Sequence, residues 1–264
     1  MVGRLQEPVL LEEQGPVASI RLNRPDVLNA LDVAMAEGLH AALQSIAARQ
    51  EVRVIIIRGE GRAFCAGGDV GSFRTAPDVA EHVDAIIQPF HRAVTLLSEL
   101  PKPSVAMLHG AVAGAGLSLA LACDFALAAD DARFTLAYSR IGASPDGSAS
   151  WFLPRIVGLR KAKEIALLAD LFDAAEAHRL GLVNRIVPAD RLEGEIMALA
   201  ERLATGPTAA YGRIKALVHR SFDAGLKDQL EAERQAFKAL TATADFREGV
   251  AAFIEKRSAR FEGR

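Results

Sequence analysis

Two stretches of small residues stand where backbone amides can do chemistry. One is Arg62-Ala63-Phe64-Cys65-Ala66-Gly67-Gly68-Asp69-Val70; the other runs from Pro103 through Gly110 and Gly114-Ala115-Gly116 to Ser118. In each, an apolar run that reads as a strand gives way to glycine and alanine. A strand that feeds a helix through small residues leaves N–H groups unpaired at the helix start, where the helix dipole adds partial positive charge. Such a place suits an anion, either a phosphate or an oxyanion. Two turns that each aim one N–H at a common point would make an oxyanion hole. Taken alone, the second stretch fits the close packing of a glycine-rich turn at least as well.

Few side chains join them. Asp146 lies in Ser144-Pro145-Asp146-Gly147, a favourable turn sequence in which an aspartate often serves only the turn. His91 sits in a helical pattern among polar and apolar neighbours, where a single histidine is commonly structural. The six histidines (40, 82, 91, 109, 178 and 219) form no i, i+4 pair, so no metal site is expected. Cys65 and Cys123 are the only cysteines. They have no metal-type spacing and suit a reducing cytoplasm better than a disulfide framework.

The elements that must position these groups follow from periodicity. Val9–Leu22 alternates around Gly15-Pro16, a hairpin pattern, and Asn23-Arg24-Pro25-Asp26 is a turn cluster. Residues 28–48 carry apolar side chains at helical spacing. Residues 52–57 are rich in β-branched residues and read as a central strand. Residues 78–100 predict a helix interrupted near Pro89. Short buried strands are expected at the start of the Pro103–Ser118 stretch and at 125–128, with a buried helix at 117–122. The alternation argues for an α/β core with parallel strands. After Pro154 helices dominate, at 159–168, 174–180, 190–204, 208–222 and 226–257, with one strand at 183–187.

The 264 residues are half hydrophobic and carry a formal net charge of -2, with no dominant basic patch. Nucleic acid is therefore an unexpected partner. No apolar run is long enough to span a membrane, and the N-terminus lacks a signal-peptide pattern, so a cytoplasmic protein is expected.

Four segments in order resemble the crotonase (enoyl-CoA hydratase/isomerase) superfamily. Asn23-Arg24-Pro25 with Asn29-Ala30-Leu31 is similar to its entry motif, Arg62 to Asp69 to its first oxyanion loop, Gly110 to Gly116 to its second, and Gly249 to Arg257 to its C-terminal signature. The resemblance runs from about Val9 to the end. It implies an α/β fold, a spiral of ββα units over residues 1–200, with a C-terminal helical oligomerisation region at 201–264. It implies homotrimers, or hexamers built as dimers of trimers. It implies an acyl-CoA thioester as substrate, with coenzyme A entering as part of that substrate and no tightly bound cofactor or metal.

The resemblance also assigns roles. The thioester oxygen would take N–H bonds from Gly68 and Ala115, with Gly114 opening the helix behind them. Ala115 departs from the more usual glycine, which is tolerable if its φ is negative, because only its N–H is used. Ala63, Ala66, Asp69 and Val70 match the stretch around the adenine end and the first loop. Arg24, Leu28 and Ala30 match the lining of the CoA channel; Phe253 and Lys256 match positions that reach a neighbour's adenine nucleotide. Hydratases of this family use two glutamates to activate water, and the matching positions here are Ser118 and Tyr138, neither a carboxylate. Asp146 matches the proton-shuttling aspartate of ring-1,2-epoxyphenylacetyl-CoA isomerase-like enoyl-CoA isomerases. It also matches the nucleophile of 4-chlorobenzoyl-CoA dehalogenase, which has a histidine at the position of His91 but a tryptophan at that of Tyr138. The expectation is an enoyl-CoA or ring-epoxide acyl-CoA isomerase with Asp146 as acid and base, and His91 as a second site residue. The alternatives are a hydratase, an aryl-CoA dehalogenase and a non-catalytic CoA-binding homologue. Phe73 and Trp151 are expected in the wall around the acyl group.

Overall fold

A computed structural model describes residues 7–264. The central sheet follows from its strand sequences. Strands β1 (Val9–Gln14) and β2 (Val17–Leu22) form the expected antiparallel hairpin. Strands β3 (Val54–Gly59), β4 (Ser104–Leu108), β6 (Phe125–Ala129) and β9 (Arg185–Val187) then add in parallel, in the order β1-β2-β3-β4-β6-β9. Parallel strands covered on both faces need apolar residues at every position. The Val54-Ile55-Ile56-Ile57 run meets that need, and successive side chains divide between two cores. Ile55 and Ile57 face one, built with helices α1 (Val33–Ala47), α3 (Val79–Glu99) and α4 (Ala115–Ala122). Val54 and Ile56 face the other, closed by α7 (Leu192–Ala204).

A second, three-stranded sheet orders β5 (Ala111–Ala113), β7 (Arg133–Thr135) and β8 (Phe172–Asp173). The strand periodicity does not reach these pieces, because two or three residues carry no usable period.

Helix α1 starts later than its apolar spacing predicts. Leu28 and Asn29 take left-handed backbone, with φ of 55° and 56°, and Asp32 caps the helix by accepting from the Met35 N–H at 2.8 Å. Conversely, α3 runs unbroken through Pro89. An internal proline costs about 3 kcal/mol. Burial of Ile86, Phe90, Ala93, Val94 and Leu97 on the same helix outweighs that, at roughly 1.5–3 kcal/mol for each large side chain.

Helix α5 (Ala149–Leu168) begins ten residues before its expected start and breaks at Gly158, where φ is 77° and ψ is 160°. Short α2 (Val70–Phe73) and α6 (Ala174–Arg179) complete the core. The single helix expected over 226–257 is two, α9 (Leu226–Leu240) and α10 (Ala244–Glu255). Thr243 divides them by capping α10 through the Phe246 N–H. With α8 (Thr208–Arg220) they form a helical tail. The division expected at 200/201 falls inside α7, whose Leu203 and Ala204 still pack on the sheet. Among the described residues no helix is long and apolar enough to cross a membrane.

Candidate active site

The two glycine-rich turns meet. A one-pair parallel bridge joins Cys65 to Val112: the Cys65 N–H donates to Ala111 O (3.1 Å) and the Ala113 N–H to Cys65 O (2.9 Å). Gly67 (φ 109°) and Gly114 (φ 49°) then face one another so closely that a Cβ on either would touch the other's Cα, at 3.6 and 3.4 Å. Glycine supplies both the positive φ and the close approach. Gly68 and Ala115 each follow one of these glycines. Neither N–H donates to a backbone carbonyl among the described residues. Ala115 is the first residue of α4 and keeps a negative φ, the condition on which alanine is tolerated there. The positive end of the α4 dipole thus lies at the same point.

The entry motif holds the first loop in place. Asn29 is fully buried, and its amide donates to Glu60 O (2.8 Å), Ala63 O (2.8 Å) and Phe64 O (3.2 Å) while its Oδ1 accepts from the Arg24 N–H. Asparagine tolerates the left-handed backbone this position takes. The motif alone does not reveal this task, because the three carbonyls lie more than thirty residues away. The Ala66 N–H donates to Leu28 O at 3.0 Å. Arg24 spans Ala30 O (2.5 Å), Asp32 (3.2 Å) and Asp69 (3.0 Å), so its guanidinium ties the start of α1 to the first glycine-rich loop. Ala63 and Ala30 are buried beneath this loop, and Val70 opens α2 on the surface.

Ser118 stands one turn into α4 and is fully buried. Its hydroxyl donates to the backbone carbonyl of Asp146 at 2.9 Å, with Gly114 O and the Tyr138 hydroxyl each at 3.3 Å. The Tyr138 hydroxyl in turn donates to Asp146 Oδ1. Burial and the neighbouring Asp146 carboxylate push the Tyr138 ionisation well above the ordinary tyrosine range, so Tyr138 remains a donor. The hydroxyls of both Ser118 and Tyr138 therefore hold Asp146.

On its far side the Asp146 turn meets α3. Gly147 has φ 58°, and a Cβ there would stand 2.2 Å from the Phe90 ring. The Gly147 N–H donates to His91 Nε2 at 3.1 Å. Asp146, His91, Ser118, Tyr138, Gly68 and Ala115 are thus joined through α3, α4 and two loops. Phe253, 85% exposed, and Lys256, which ends α10, lie on the outer surface of the helical tail, apart from this constellation within one chain.

Phe73 and Trp151 part company. Phe73 stands beside Gly68, where a Cβ on the glycine would lie 3.8 Å from the phenylalanine ring. Trp151 instead faces an apolar cavity of about 540 Å³ between α5 and α8, beside Phe152 and Phe222 and against the C-terminal end of α4. There Arg155 lies 3.9 Å over the Trp151 ring. Among the described residues no cluster of His, Cys, Asp and Glu is arranged to hold a metal.

The family model for enoyl-CoA hydratase/isomerase matches residues 12–264. A Rhodobacter capsulatus protein named probable enoyl-CoA hydratase is 42% identical over 94% of this chain and 95% of its own length. The 1,2-epoxyphenylacetyl-CoA isomerase of Escherichia coli is 35% identical over 98% of this chain and all of its own length. The trans-2-decenoyl-[acyl-carrier-protein] isomerase of Streptococcus mutans is 32% identical over 97% and 98%. Among solved structures, the enoyl-CoA hydratase of Bacillus anthracis superposes with a TM-score of 0.92 at 31% identity, covering 97% of this chain and 100% of that one.

Proposed function

Because this chain belongs to the enoyl-CoA hydratase/isomerase family, with the crotonase fold, we propose that it is an enoyl-CoA isomerase with Asp146 as its single acid–base group. The thioester oxygen of an acyl-CoA accepts from the Gly68 and Ala115 N–H groups, and the α4 dipole favours the charge that develops there. For a 3-enoyl-CoA, the Asp146 carboxylate removes a proton from C2, the electron pair delocalises into a dienolate held at the two N–H groups, and the proton returns at C4. The product is the 2-enoyl-CoA, with no net gain or loss of atoms. One carboxylate suffices, since it carries the proton both ways. A ring-epoxide acyl-CoA is a second substrate class open to the same site, and no tightly bound cofactor is invoked.

The observation that carries this reading is the double hold on Asp146. Tyr138 donates to its carboxylate and Ser118 to its carbonyl. A hydratase needs carboxylates at those two positions to activate water. Here one position supplies a hydroxyl whose proton is already used, and the other a phenol kept protonated. Hydratase names among the relatives motivate the second reading, in which Asp146 acts on a water held by Ser118. An aryl-CoA dehalogenase with Asp146 as nucleophile and a non-catalytic CoA-binding homologue stand further off. The CoA contacts proposed for Arg24, Leu28, Ala30, Ala63, Ala66, Asp69 and Val70, and those of Phe253 and Lys256 toward a neighbouring subunit, complete the proposal.

Product analysis tests it. Supplied with 3-enoyl-CoA, the protein is expected to yield 2-enoyl-CoA at least tenfold faster than it hydrates 2-enoyl-CoA to the 3-hydroxy product. Faster hydration than isomerisation would favour the hydratase. Absence of both with CoA binding intact would favour the non-catalytic homologue.

A further inference from the structure

We propose that His91 is a positioning residue for Asp146 and acts through the backbone, by accepting the Gly147 N–H; the proposal rests on Asp146 being the base. The peptide plane between Asp146 and Gly147 is held at both ends. Its carbonyl accepts from Ser118 on α4 at 2.9 Å, and its N–H donates to His91 on α3 at 3.1 Å. With both ends of the plane held from opposite helices, ψ of Asp146 and φ of Gly147 are set, which fixes the direction of the Asp146 Cα–Cβ bond, and so of its carboxylate, relative to α3 and α4.

Phe90, the residue before His91, closes the same turn by contact. Its ring occupies the space a side chain at Gly147 would need. Adjacent residues of α3 thus give the turn a wall and an anchor. Reach fixes the role of the imidazole. Nε2 accepts, so the ring proton lies on Nδ1 and the ring is neutral. An Nε2 lone pair engaged by an amide cannot take a substrate proton without releasing the turn. His91 therefore acts on the geometry of Asp146 and not on the substrate.

The other side of His91 faces an open groove between α1 and α3, lined by His40 and Gln44 from α1 and by Arg92, Thr95 and Glu99 from α3. Glutamine in place of the histidine offers an amide oxygen to the same N–H and has no ring nitrogen to carry a proton.

The test compares His91→Gln and His91→Ala with the parent in 3-enoyl-CoA isomerisation, beside Asp146→Asn and the ¹⁵N amide signal of Gly147. His91→Ala is expected to lose roughly tenfold to a hundredfold in kcat, the usual scale for a misplaced group, with KM within about threefold. His91→Gln is expected to recover most of kcat. The Gly147 amide signal is expected to move in His91→Ala and to stay near its parental position in His91→Gln. Adding His91→Ala to Asp146→Asn is expected to cost nothing further. A His91→Gln variant as slow as His91→Ala would make the ring a proton carrier and overturn the proposal. So would a His91→Ala variant at the parental rate. The amide signal reads the anchor without turnover, so an amide indifferent to His91 and an Asp146→Asn variant at parental turnover are separate failures. The first removes the anchor, the second the base it serves, and either overturns the positioning role.

Discussion

At the scale of the residue, the site is a set of side chains that support one another. The Ser118 and Tyr138 hydroxyls both turn to Asp146. Cys65 shows the same economy within the first glycine-rich loop. Its backbone bridges the two glycine turns, and its buried thiol is pushed up to about 11 by desolvation. That shift has a sign. The thiol stays protonated in the folded chain while the unfolded chain ionises near its ordinary value, so stability is full below about pH 9 and is lost as pH rises toward 11. The loss is on the order of 2–3 kcal/mol by pH 11. Urea unfolding at pH 8 and pH 10.5 is expected to give a lower midpoint at the higher pH, and Cys65→Ala is expected to lessen the dependence, the rest coming from Cys123, whose buried thiol is pushed up to about 12. A parent midpoint that does not move would mean that the thiol is not held as the structure has it.

At the scale of the element, α4 is the part that everything else meets. All eight of its residues are buried, and Gly116 lies against Cys65, where a Cβ would stand 2.4 Å from the Cys65 carbonyl. Gly116→Ala must therefore lift α4 from the first loop and separate the two N–H donors. The expected result is a loss of roughly a hundredfold or more in kcat, the worth of one oxyanion donor, in a variant whose circular dichroism is unchanged. Parental turnover would mean that the contact does not set the donor spacing. This contact also marks what the sequence does and does not carry. The small residues of both turns are legible, because only a few backbone conformations and close approaches demand them. That Gly67 abuts Gly114 is not, since it depends on the Cys65–Val112 bridge, a contact between segments nearly fifty residues apart. The unbroken α3 is hidden for a similar reason: packing against α1 overrides Pro89. The start of α1 is hidden because Asn29 is spent on three distant carbonyls. Asp146 is legible as a turn residue; its partners Ser118 and His91 come from helices that the turn sequence does not encode.

At the scale of the whole molecule, the helical tail presents much of the exposed apolar surface. Leu226, Leu230, Phe237, Phe253 and Ile254 are each more than half exposed within one chain. A surface of this kind marks an interface, and a trimer or dimer of trimers remains our proposal for what covers it. Light scattering at micromolar concentration is expected to give a mass three or six times that of the 28.2 kDa chain; a stable monomer would contradict it. Asp146→Asn keeps the size of the side chain but cannot accept a proton, while the backbone donors at Gly68 and Ala115 are untouched. In deuterated water the parent is expected to move the double bond of 3-enoyl-CoA into conjugation with transfer or exchange of the C2 and C4 hydrogens. Asp146→Asn is expected to bind the thioester with near-parental affinity and to lose about two to four orders of magnitude in both isomerisation and exchange. A variant that isomerises and exchanges at the parental rate would show that Asp146 is not the base.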